Sequence, residues 1–232
     1  MTQSNSRTPA RRRFLTSMGI AATGAAVAAG TRAASNMPAT GSGFVPTRHP
    51  EDSWMEELGG SHRAFLDSSS GSGGVSAMNF ASNILSAHAD AYAGASEADY
   101  ALIVCFRHDS SPFGFNDAMW EKYGELFSAR TGIRHVDTDQ PLTFNPLSLE
   151  RSPYGNRSNT VTNMSARGVH FAVCNLSTRG MAGMLARSTG ASSDAVYQEL
   201  VNNSIPNSHF VPAGVVAATR SQEYGYSFLF AG

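Results

Sequence analysis

Gly168–Met184 reads GVHFAVCNLSTRGMAGM, and the reading of this stretch decides the fold. Val169 to Val173 is a nearly continuous apolar run, and Cys174 ends it. A run of that kind suits a strand covered on both faces. A small polar turn follows, and then a helix that Gly190 stops. A second run, YALIVCFRH from Tyr100 to His108, repeats the pattern before a helix at 116–130, where Asn116 offers an N-cap.

Working outward, the same alternation extends along the chain. HRAFLD (62–67) reads as a short first strand, preceded by a short helix in DSWMEEL (52–58). DSSSGSGG (67–74) reads as a loop, and a helix follows over 75–94. Residues 131–160 carry Gly, Pro, Asn and Ser at loop density, a length that marks a functional loop or an oligomer contact. TVTNMSARG gives a short helix, SSDAVYQELVNNS another capped by Ser192 or Ser193, and HFVP a strand. AGVVAATRSQEYG and YSFLF close the series as a helix and a strand. Strands alternating with helices predict an α/β chain with a mainly parallel sheet and helices on both faces. In such sheets, sites form at the carboxyl ends of the strands.

The amino-terminal stretch stands apart from this body. Arg11-Arg12-Arg13-Phe14-Leu15 precedes a weakly apolar segment rich in Ala and Gly, and small residues follow Arg32. That is a secretory leader with the twin-arginine pattern, over 1–35, and it predicts an exported, periplasmic protein that meets the twin-arginine translocase already folded. Residues 36–51 read as a linker and 52–232 as one domain with a sizeable core. Removal of 1–35 takes Lys+Arg from 17 to 12 against 18 acids, so the net charge moves from −1 to −6. An acidic chain is a poor ligand for nucleic acid or anionic membrane. No later stretch has the ~20 continuous apolar residues of a membrane span.

The two cysteines exclude a disulfide framework. Cys174, at a strand exit before a helix, sits where helix N–H groups favour a thiolate able to attack sulfur or carry a persulfide; the alternative is an inert, buried thiol. Cys105 lies inside an apolar run and reads as core packing. His108, with Arg107 beside it, is a general base, a donor to a sulfur anion, or a capped loop histidine. Asn175, Thr178 and Arg179 are candidate groups at the helix start. The Gly/Ser loop at 68–74 is either an anion cradle for a phosphate-bearing cofactor or a flexible connection. It lacks GxxxxGK[ST] and GxGxxG, and the seven histidines form no HxxxH or HExxH. We therefore expect no cofactor and no metal.

VCFRHDSSPFGFNDAMWEKYGE (104–125), ARGVHFAVCNLSTRGMAGMLA (166–186) and VPAGVVAATRSQEYGYSF (211–228) resemble DsrE/DsrF-like proteins, specifically the exported twin-arginine branch of that superfamily. The resemblance covers nearly all of 52–232. It implies a doubly wound, mainly parallel DsrE-like sheet, a three-layer sandwich related to flavodoxin topology, in homotrimers or hexamers. It also implies sulfur relay through a cysteine persulfide, with Cys174 at the matching strand end and His108 near it. The chain would then be a sulfurtransferase or sulfur carrier, supplied by small sulfur species or by a sulfur-donor protein. A non-catalytic ligand-binding or assembly module of the same fold is the alternative.

Overall fold

The computed structural model describes Gly43 and residues 45–232. The leader over 1–35 and the first part of the linker lie outside the described residues. The linker's last residues are docked on the domain. The Arg48 guanidinium lies 3.9 Å from the centre of the Tyr224 ring and donates to the Glu223 carbonyl. Asp52 is buried and pairs with Arg220 at 3.2 Å. The packed body thus begins a few residues before Asp52, because these side chains attach the extended backbone.

Five strands form one sheet in the order β4-β3-β2-β1-β5, with every neighbouring pair parallel. They are β1 (His62–Ser68), β2 (Tyr100–Phe106), β3 (Val169–Cys174), β4 (Ser208–Val211) and β5 (Ser227–Phe230). The first three crossovers step in one direction. Right-handed connections therefore place their helices on one face. These helices are α2 (Gly71–Ala91), α3 (Asp117–Thr131), α4 (Val161–Ala166), α5 (Asn175–Thr189) and α6 (Ser193–Asn202). The crossover from β4 to β5 runs back across the sheet, so α7 (Gly214–Glu223) covers the opposite face together with α1 (Ser53–Glu57). The result is the doubly wound three-layer α/β sandwich that the alternation predicts.

Strand residues sort by parity between the two cores. Leu102, Val104, Phe106, Phe171 and Val173 pack with the larger helical layer. Phe65, Ile103, Cys105 and Ala172 pack beneath α7 and α1. Trp120 anchors the larger core: it is fully buried, meets Phe113 and Phe127, and donates its indole N–H to the Pro112 carbonyl at 3.0 Å. Burying side chains of this size stabilises the fold by about 1.5–3 kcal/mol each.

Two local expectations differ from the structure. Helix α2 begins at Gly71, inside the stretch read as a loop. Ser70 caps it by accepting the Gly73 N–H, and the glycines meet backbone and ring atoms too closely for side chains. A Cβ at Gly71 would lie 2.0 Å from the Thr131 carbonyl oxygen, and one at Gly73 2.1 Å from that of Gly232. The polar turn expected after Cys174 is absent, because β3 passes directly into α5.

The 131–160 segment has little regular structure and is anchored at its middle, while much of the rest is exposed. Buried Asn145 donates to the carbonyls of Phe113 and Phe115 and accepts the Leu147 N–H. Leu142 and Leu147 are buried beside it.

Candidate functional site

Parallel strands bring their carboxyl ends to one edge, and β2 and β3 are neighbours there. Cys174 is the last residue of β3 and also the N-cap of α5, with extended backbone (φ −68°, ψ 111°). Its Sγ accepts the Ser177 N–H at 3.5 Å, the bond that Ser or Asp usually accepts in this position. The residue is only 5% exposed. Thr178 is buried and donates to the Cys174 carbonyl at 3.0 Å, which fixes the strand-to-helix junction. Asn175 opens the helix, half-buried, and its Oδ1 is buried without a hydrogen-bond partner among the described residues. Arg179 is not brought to the cysteine. It is exposed, and its guanidinium stacks 4.0 Å from the centre of the Tyr197 ring on α6.

At the exit of β2, Arg107 turns back over the sheet to Asp67 of β1. Its Nε and Nη2 donate to the carboxylate at 2.9 and 2.8 Å. Asp67 is almost wholly buried, and Arg107 is mostly so. This pair holds the Arg107 pKa above its ordinary value, so the guanidinium stays charged. Below it, burial first and then the Asp67 charge push the Cys105 thiol well up, which keeps Cys105 a neutral core group. His108 follows in the left-handed region at φ 51°, a conformation that non-glycine side chains rarely adopt. Its N–H donates to Ser177 Oγ at 3.0 Å, which ties the β2 exit to the first turn of α5. The His108 ring is exposed and makes no hydrogen bond among the described residues. Ser110 closes the turn, accepting the Arg107 N–H and meeting Ser68 at 3.0 Å.

These groups line a cleft of about 300 Å³, at the lower end of small-molecule sites. Arg107, His108, Arg130, Cys174, Ser177 and Gly214 form its walls, and no acidic side chain lines it. Arg130 enters from α3, paired to Asp109 at 3.2 Å. Gly214 packs directly on Arg107. A larger groove of about 580 Å³, lined from α3 and α5, carries neither thiol nor imidazole.

Sequence reading missed Asp67, Arg130, Ser177 and Gly214. Ser177 had a signal, three residues after the cap, where an N–H reaches back. Asp67 and Arg130 are joined to the cleft only by tertiary structure.

The Gly/Ser loop is already filled by the chain itself. The N–H groups of Ser69 and Ser70 both donate to the Gly232 carbonyl oxygen, at 2.7 and 3.3 Å. Among the described residues, no group of three or more His, Cys, Asp and Glu is placed to hold a metal ion. No helix among them is long and apolar enough to cross a membrane.

A second cluster lies on the α7 face. His170 Nδ1 and His209 Nε2 are 3.0 Å apart, and Trp54 stacks on His209 at 3.9 Å. Burial lowers both imidazoles, His209 from 6.5 to about 4. The unfolded chain therefore binds protons first, and stability falls as pH drops from about 6.5 towards 4. We expect a loss of roughly 2 kcal/mol across that window after allowing for solvent screening. Urea midpoints against pH measure it, and His209→Asn should flatten that limb.

Comparison of the chain with protein-family models, with curated proteins and with solved structures returned no match.

Proposed function

We propose that the chain is an exported DsrE-like sulfur carrier in which Cys174 takes up sulfane sulfur as a persulfide and passes it on. The observation that carries this reading is the placement of one thiol as the N-cap of α5, in a cleft whose charged walls are cationic. The Ser177 N–H reaches the sulfur at 3.5 Å, and the thiolate is the form that attacks sulfur. Arg107 and His108 stand beside it to steady the thiolate or the incoming anion. Thr178 and Ser177 act as positioning residues, and Arg179 has no part in this version of the site.

In this reading the protein folds before leaving the cytoplasm, engages the twin-arginine translocase and works in the periplasm. A homotrimer or hexamer belongs to the same proposal. The exposed Phe228, Leu229 and Phe230 of edge strand β5 support it, since an uncharged apolar edge invites covering.

Intact mass tests the proposal. Folded protein treated with polysulfide should gain ~32 Da per sulfur atom, and dithiothreitol should remove the gain. Cys174→Ala should gain nothing, while Cys105→Ala should load as the parent does. Full loading of Cys174→Ala would sink the idea.

A second reading, a non-catalytic binding or assembly module, draws on the low exposure of Cys174. It also draws on the apolar mouth of the cleft, where Leu176 is 67% and Val215 52% exposed. No mass gain, with Cys174 also silent to alkylation, would put it first.

A further inference from the structure

We infer that the donor taken by this cleft is a small S-sulfonate anion, thiosulfate being the simplest, with sulfite as the leaving group. The inference rests on the persulfide reading of Cys174 given above.

Charge argues first. The chain is acidic overall, yet the charged residues lining this cleft are Arg107 and Arg130, with His108 as the one further titratable side chain beside the thiol. Each arginine is paired to a carboxylate outside the lining, so the cleft presents guanidinium N–H groups and no carboxylate, an arrangement that suits an anion. Donor geometry argues second. Each arginine is anchored by one carboxylate and keeps other donors unused. Arg107 spends Nε and Nη2 on Asp67, and its Nη1 has no partner among the described residues. Arg130 reaches Asp109 through Nη2, and its Nε is buried with no acceptor. A buried, unpaired guanidinium N–H is costly unless an acceptor arrives. Backbone geometry argues third. Helix α7 meets the cleft at Gly214 and Val215, and Ala213 at its N-cap has no side chain to close its first turn. Sulfonate oxygens satisfy such donors, whereas an uncharged donor leaves them bare. The volume of about 300 Å³ suits a small tetrahedral anion.

The step balances without an added oxidant. The Cys174 thiolate attacks the outer, sulfane sulfur of thiosulfate. The new S–S bond forms as the S–SO₃ bond breaks, and sulfite leaves with the electron pair. Thiolate and dianion become persulfide anion and sulfite dianion. The two arginines stabilise charge developing on the sulfite.

The test uses the full folded chain with two donors at matched concentration: thiosulfate, and dispersed elemental sulfur, which is uncharged. Intact mass reads sulfur on Cys174, and a dye assay reads sulfite. Thiosulfate should load Cys174 with one sulfite released per sulfur gained, and added sulfate should compete. Arg130→Ala should lower the ratio of thiosulfate to elemental-sulfur loading about tenfold, the scale of one charge-assisted contact, and Arg130→Lys should restore part of it. Loading by elemental sulfur but not by thiosulfate overturns this inference and leaves the persulfide carrier standing. Loading by neither of them, nor by polysulfide, overturns both, and loading by polysulfide alone overturns this inference only. Should Arg130→Ala fail to fold, sulfate competition in the parent chain decides, and its absence overturns the inference.

Discussion

Asp67→Asn is expected to destabilise the protein by about 3 kcal/mol, because it strands a buried guanidinium. Asp67 is 3% exposed on its side chain and accepts two short bonds from Arg107, so the asparagine amide replaces a charge that nothing nearby supplies. For a chain of this size the melting temperature should fall by roughly 6–12 °C. The fall should be mostly recovered when both partners become apolar, in Asp67→Leu with Arg107→Met, since paired removal leaves no orphan charge. Thermal and urea melts of the three variants measure this. A loss below about 1 kcal/mol would mean that solvent reaching Arg107 does the work assigned to the carboxylate. The double variant should also separate stability from chemistry: near-parent melting with slower sulfur loading would place Arg107 in the binding of the anion.

Gly214→Ala is the second large effect. Its new Cβ would lie 2.6 Å from Arg107 Cβ, 2.8 Å from Arg107 Cδ and 3.1 Å from Cys105 Sγ. Arg107 Cβ is fixed to the backbone and cannot swing aside, and the bonds to Asp67 hold the rest of that side chain. Either α7 lifts off β2 or Arg107 leaves Asp67. Overpacking of this kind costs about 1–3 kcal/mol. The cleft wall shifts with it, so the alkylation rate of Cys174 should change in the same variant. Gly180 makes the contrast. It lines the same cleft within α5, and a Cβ there meets nothing within 4 Å. Gly180→Ala should therefore raise stability by roughly 0.5–1 kcal/mol through helix propensity alone. Equal melting of the two alanine variants would refute the packing argument.

The strands were legible because β2 and β3, buried on both faces, are apolar almost throughout, a pattern no surface helix shows. Their order was not legible. Whether β2 lies against β3, and where β5 goes, depends on pairings between distant residues. The start of α2 was hidden for a related reason. GSGG looks like a flexible connection, and the need for glycine there comes from Thr131, Gly232 and Phe113, all remote in sequence. The carboxyl edge carrying Cys174, Arg107 and His108 followed from strand direction alone. Arg179 was misplaced by ignoring helical phase. Five residues beyond Cys174 is about 140° round the axis, towards α6. Asp67 and Arg130 come from elements whose neighbours the sequence does not reveal.

The position of β5 has a consequence for how the chain is assembled in time. Strands β1 to β4 pair in the order in which they are synthesised, each with its predecessor. Strand β5 pairs instead with β1, and Ser227 reaches the Arg63 carbonyl across 164 positions of chain. A growing chain can therefore lay down four strands progressively while the outer edge of β1 stays bare. That edge closes last, at the expense of the largest loop-closure entropy of any strand pairing among the described residues. Until then the nascent sheet is exposed to pairing with a neighbouring chain.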